Sequence, residues 1–145
     1  MNKTYKIYIY IIVFVIIPLL LGASIYFLLS PETFVGNWLS IFLKFESITE
    51  IRDYLSEYSI VIFIKNYFCD FLWAFSLESA IFIFFIHKFS YYSIVISIVI
   101  SFISEIIQKV HIISGTFDIF DIIIELSAIL LSYFLLRRIL NEKVN

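Results

Sequence analysis

The chain holds one cysteine, two prolines and three glycines among its 145 residues, and only 15% of it is charged. A lone thiol, Cys69, excludes an intramolecular disulfide and any thiolate cage for a metal, and its expected role is that of a small apolar packing residue. With so little proline and glycine there is no linker-like stretch, and no internal repeat is visible, so residues 1–145 are read as a single domain. Ten basic residues against twelve acidic ones give a net charge of -2, which leaves no basic surface for nucleic acid.

What is abundant decides the class. Hydrophobic residues make up 62% of the chain and aromatic residues 20%, with a mean hydropathy of +1.02. A soluble domain is typically only about 45–50% apolar. The expected fold is all-α, an integral membrane bundle of about four transmembrane helices.

Four apolar stretches suit that bundle: residues 7–29, about 68–85, about 91–110 and about 119–136, each close to the roughly 17–25 residues that cross hydrocarbon. The first is longer than the apolar core of a secretory signal and is followed by SPETFVGN, which lacks a small-x-small cleavage site, so it reads as a retained helix that Pro18 and Gly22 can kink. Residues 30–67 are mixed in character. There, Ser47-Ile-Thr-Glu50 has capping-box spacing, and Ile48, Ile51, Leu55 and Tyr58 recur at helical intervals opposite Glu50, Asp53 and Glu57. This pattern predicts a short interfacial amphipathic helix after the first span, with Trp38, Tyr54, Tyr58 and Tyr67 at the membrane boundary.

Lysine and arginine set the expected orientation. Cytoplasmic termini place Lys3, Lys6, Lys88, Arg137, Arg138 and Lys143 inside, close to helix ends, whereas Lys44, Arg52, Lys65 and Lys109 lie outside and are spread over a longer loop. The expectation is a multi-pass protein of the cell membrane with both termini cytoplasmic.

Against that apolar background the acids stand out. An Asp at the middle of a bilayer costs about 2.5–3.5 kcal/mol on insertion scales, so carboxylates in spanning helices face a bundle interior and mark candidate working sites. Six carboxylates and one amide qualify: Asp70, Glu78, Glu105, Gln108, Asp118, Asp121 and Glu125. Spacings of three and seven put Asp118, Asp121 and Glu125 on one helix face, and a spacing of three aligns Glu105 with Gln108. The turn at Ser114-Gly115 makes the last two helices antiparallel neighbours, so the two polar faces are expected to meet. All seven are expected in the outer half of the bundle, with Glu78 about 12 Å below Asp70 at 1.5 Å per residue. The object inferred is an acidic pocket that opens outward.

Simpler roles exist for each. Asp118, just after Gly115-Thr116, suits the first turn of a helix, where an acid complements the dipole. Glu78 suits a pairing within the bundle, Gln108 helix-to-helix adhesion, and Asp70 a hydrated interfacial position. His87 and His111 suit the interface. No base is evidently paired with a Ser or Thr nucleophile, and acids with one His make a poor transition-metal site, so no cofactor and no metal are expected and an enzyme is disfavoured.

Glu105-Ile-Ile-Gln108, the turn Gly115-Thr116-Phe117-Asp118, Asp121 and the apolar helix beyond resemble the signature of the VanZ-like family, small bacterial membrane proteins named for a teicoplanin-resistance protein. Asn66-Tyr-Phe-Cys-Asp70-Phe-Leu-Trp73 is similar to that family's Asp-containing entry motif. The resemblance covers roughly residues 66–133. This chain departs from the family in having Thr116 where Arg is frequent, Glu125 where Asn is frequent, and Ala128 and Ser132 where Gly is common. The resemblance implies a role in the cell envelope that extends to glycopeptide tolerance. From the residues, the leading expectation is a pocket for an amphiphilic partner, a membrane lipid or lipid-linked envelope molecule, with the acids taking its polar group and Ile/Phe walls its chain. The alternatives are proton- or cation-coupled transport, an intramembrane enzyme, and an interaction subunit whose acids pair with a membrane-protein partner.

Overall fold

A computed structural model describes residues 3–29, 58–85, 90–110 and 118–141. Among these residues the secondary structure is helical, with no strand. Helix α1 (Lys3–Ile11) continues through a π turn at Ile12–Ile16 into α2 (Ile17–Leu29). Helix α3 (Ser59–Phe63) likewise continues through a π turn at Ile64–Phe68 into α4 (Cys69–Phe85), followed by α5 (Ser90–Lys109) and α6 (Ile119–Asn141). Four stretches are long and apolar enough to cross a membrane: Tyr5–Ile25, Asn66–Phe85, Tyr91–Gln108 and Ile119–Leu140. Helix is the form such segments take because each backbone N–H and C=O must find its partner within the segment when no water is present.

The boundaries differ from the expected ones in two places. The second helix begins at Ser59, ahead of the expected residue 68, because the π turn carries the backbone through Lys65 and Asn66 without a break. The fourth runs past residue 136 to Asn141, with Arg138 in its last turn, where a cation complements the carbonyl end of the helix dipole. In the first span the Ile17 N–H bonds the Ile12 carbonyl, a five-residue step just ahead of Pro18, which cannot donate a backbone hydrogen bond. The expected interfacial helix with its Ser47–Glu50 capping box, and the Gly115 turn, lie outside the described residues.

Contacts across the bundle give an up-down-up-down order. Gly22, late in the first span, packs on Leu72 and Cys69, early in the second. Glu78, late in the second, meets Ser93 and Ser97, early in the third, and Ser101 of the third meets Glu125 of the fourth. The second helix is the centre of the assembly and touches the other three; the first packs against it along one side. Where second and fourth helices cross, Ala74 and Ala128 are both fully buried beside Ile129, and small residues there let the backbones approach. Ala128 and Ser132 thus lie on the face of the fourth helix that packs against the second. Toward the Phe85 end, Phe82 meets the Tyr133 ring edge-on at 5.5 Å, above Leu136. Many large apolar residues, such as Phe84, Phe102 and Phe134, point outward, as lipid-facing side chains do.

Candidate functional site

The polar interior is organised by α5. Ser93, Ser97, Ser101 and Glu105 recur every four residues, which stacks them on one helix face, and all four are buried between the neighbouring helices. The opposite face carries Val95, Val99, Phe102 and Ile106, all exposed to the lipid side. The three serines of the stripe each bond a carboxylate on the second or fourth helix.

Nearest the Phe85 end, Glu78 is completely buried and accepts two hydroxyl hydrogen bonds, from Ser93 Oγ to Oε1 and from Ser97 Oγ to Oε2, both 2.6 Å. One level away, Ser79 and Ser132 share a hydrogen bond of 2.8 Å between the second and fourth helices. Ser101 then donates to Glu125 Oε2. Beyond it stands Glu105, 2% exposed, whose Oε1 receives a long 3.5 Å bond from Gln108 Nε2 and whose Oε2 has no partner among the described residues. At the rim, the Asp118 side chain accepts from the Phe120 backbone N–H at 3.2 Å, and its other oxygen accepts from the Tyr67 hydroxyl at 3.3 Å.

Asp118 therefore caps α6, and the Asp121 side chain accepts in turn from the Asp118 backbone, a reciprocal arrangement of the capping-box kind. That bond explains part of what holds Asp121 but not its burial, since it is 8% exposed and sits in the fields of other acids. Asp70, Glu105, Asp121 and Glu125 lie within electrostatic range of one another, from three different helices. No hydrogen bond joins these four to one another among the described residues. The expected meeting of Glu105 with Asp121 thus takes the form of two neighbouring carboxyl groups with no bond between them among the described residues.

The seven residues do not form one group. Glu78 is set apart with its two serines, in the half of its span nearer Phe85 and eight residues from Asp70, so the expectation that all seven share one half of the bundle does not hold. Gln108 is tied to its own helix through Glu105. What sequence reasoning missed were the hydroxyl partners, Ser93, Ser97, Ser101, Ser79 and Ser132, together with Tyr67, read only as an interfacial aromatic. The four-residue serine spacing that ends on Glu105 was the available signal.

Asp70 has a second environment. Together with Leu19, Gly22, Ala23, Cys69 and Trp73 it lines a cavity of about 240 Å³ between the first and second helices. The other lining residues are apolar or small. Cys69 itself is buried, and its thiol donates to the Gly22 carbonyl at 3.6 Å, in keeping with a packing role. Among the described residues no three His, Cys, Asp or Glu side chains are disposed to hold a metal ion.

No protein-family model, no curated protein and no solved structure matches this chain.

Proposed function

We propose that this is a VanZ-like membrane protein of the bacterial cell envelope whose acidic intramembrane site faces outward and binds an amphiphilic envelope molecule, a lipid-linked intermediate or lipoglycopeptide. The observation that carries the proposal is the double position of Asp70. It stands in the wall of an apolar cavity and, at the same time, within the field of Glu105, Asp121 and Glu125. An apolar slot beside converging polar groups is the ordinary form of a small-molecule site, with the walls taking apolar surface and the polar groups fixing orientation. At about 240 Å³ the slot is smaller than a drug-sized pocket, so it takes a segment of chain while the polar group rests on the acids. The outward direction rests on the lysine and arginine bias, and the envelope setting on the residues that resemble the VanZ-like family. The test is native mass spectrometry of the purified protein loaded with bacterial envelope lipids. An amphiphile should remain bound to the wild type and be lost from Ala23→Phe, which fills the slot from its wall; retention in both would reject the slot.

One observation favours a second reading, proton- or cation-coupled transport. The buried file of Glu78, Ser97, Ser101, Glu125 and Glu105 extends polar groups from the middle of the bundle toward one end. A proton flux into vesicles that Glu125→Gln abolishes would support transport, and equal flux in both would reject it.

A further inference from the structure

The least explained group in the molecule is one oxygen. Glu78 has both oxygens engaged by hydroxyls, Glu125 receives Ser101, Asp118 caps a helix, and Asp121 bonds the backbone of that cap. Among the described residues Glu105 has only the long contact from Gln108, and its Oε2 is buried with no donor, the residue being 2% exposed. A buried acceptor left unmatched is costly, roughly 1–3 times the free energy of an ordinary net hydrogen bond and more for a charged group. Asp70, Asp121 and Glu125, carboxyl groups of the second and fourth helices, lie in the same electrostatic neighbourhood.

We infer that Glu105 Oε2 is the anchor for a primary ammonium group, and that the amphiphile taken by this site is an amine-headed one. The inference rests on the amphiphile-binding reading above and narrows it. Carboxyl groups outnumber the donors that meet them, Ser101 and Gln108, so a cation draws on the whole cluster, whereas a sugar hydroxyl finds acceptors but no charge to match and a bare phosphate meets an excess of acids. A divalent metal bridging to phosphate needs several oxygens converging at about 2.0–2.6 Å, and the described acids hold no such set of three. An ammonium suits acids spread over three helices. It offers three N–H donors in rotating positions, forms charge-assisted bonds of about 2.7–2.9 Å, and draws on the more distant carboxylates through their field.

The test uses the full-length protein in detergent at neutral pH and measures binding of four probes: dodecylamine, dodecyltrimethylammonium, dodecanol and ethylamine. Dodecylamine should bind best, about two- to thirtyfold tighter than dodecanol, as expected for a charge-assisted hydrogen bond in place of a neutral one. The trimethylammonium probe keeps the charge but has no N–H and should fall between them. Glu105→Gln should erase the preference for the amine while leaving dodecanol binding in place, and Asp70→Asn should reduce it by a smaller factor. Asp70→Asn also keeps the question answerable if Glu105→Gln does not fold, a point checked by monodisperse elution and an unchanged helical spectrum. Equal binding of dodecylamine and dodecanol to the wild type would overturn the ammonium assignment and leave the amphiphile reading standing. Binding of no long-chain probe would overturn both. Ethylamine that displaces dodecylamine and binds as tightly by itself would keep the ammonium site but assign it to free amines in place of amphiphiles.

Discussion

Ser97 donates to Glu78 at 2.6 Å, joining the third span to the second at a level where neither side chain reaches the surface. Ser93 does the same from one turn earlier, so the carboxylate is clasped by two hydroxyls of one helix. Hydrogen bonds between membrane helices average only about 0.6 kcal/mol, with a maximum near 1.7, because polar groups in the unassembled state find other partners. The clasp therefore sets rotation and depth of the third helix more than it adds bulk stability.

Its removal has a defined signature. Ser93→Ala with Ser97→Ala strips both hydroxyl donors from a fully buried carboxylate and should destabilise the protein in detergent by about 1–3 kcal/mol in a denaturant titration. Adding Glu78→Leu to that pair should restore most of the loss, since replacing both sides of a buried polar contact by apolar groups is close to neutral. No recovery in the triple variant would mean that Glu78 has a role other than pairing with the two serines.

The crossing of second and fourth helices is governed by size. Ala128→Leu places a branched side chain against Ala74 where both positions are fully buried, and overpacking of this kind costs about 1–3 kcal/mol. Ser132→Ala should cost well under that, because Ser79 keeps its bond to the Phe75 carbonyl. Thermal midpoints of the two variants, measured side by side in one detergent, check the order.

Gly22 controls the seat of the first helix. A Cβ there would already meet the Leu72 Cβ at 3.4 Å, ordinary contact, so Gly22→Ala should be tolerated, while Gly22→Leu should lift the helix from the second. Cys69, buried under that seam, then becomes the reporter: a membrane-permeant maleimide should label it slowly in the wild type and in Gly22→Ala and much faster in Gly22→Leu. Unchanged labelling in Gly22→Leu would show that the seam does not shield the thiol.

Asp118 should behave as a cap. Asp118→Ala removes the acceptor of the Phe120 N–H and should cost about 0.5–2 kcal/mol, whereas Asp118→Ser should recover most of it. A loss that serine does not recover would shift the weight to the Tyr67 contact, which Tyr67→Phe then isolates.

The proposed orientation is tested in whole cells. With Cys69→Ala as background, Ser47→Cys should react with an impermeant maleimide before lysis. Reaction only after lysis would turn the acidic end of the bundle to the cytoplasm.

Much of the architecture was legible in the sequence, because a run of Ile, Leu and Phe long enough to cross hydrocarbon has few other stable forms, and the four spans lie where the runs are. The extension of the second helix back to Ser59 was hidden, since Lys65 and Asn66 interrupt the apolar pattern and a π turn leaves no composition mark. In the site, burial of Glu105, Asp121 and Glu125 followed from their apolar flanks. Partners were harder to see. Serine is common and is tolerated in spanning helices, so Ser93, Ser97 and Ser101 carry little signal one by one; only their four-residue interval ending on Glu105 marks a shared face. The separation of Glu78 from the other acids was not legible either, because depth along a helix says which residues share a level only once the neighbouring helix is in place.

Among the described residues the first span packs mainly on the second, while the other three are cross-linked by hydroxyl and carboxylate contacts. Of the four spans the first precedes the one it packs on, so until the second helix enters the bilayer its docking face, Gly22 with the exposed Leu19 and Leu20 around it, meets lipid or any other helix that fits a glycine seam.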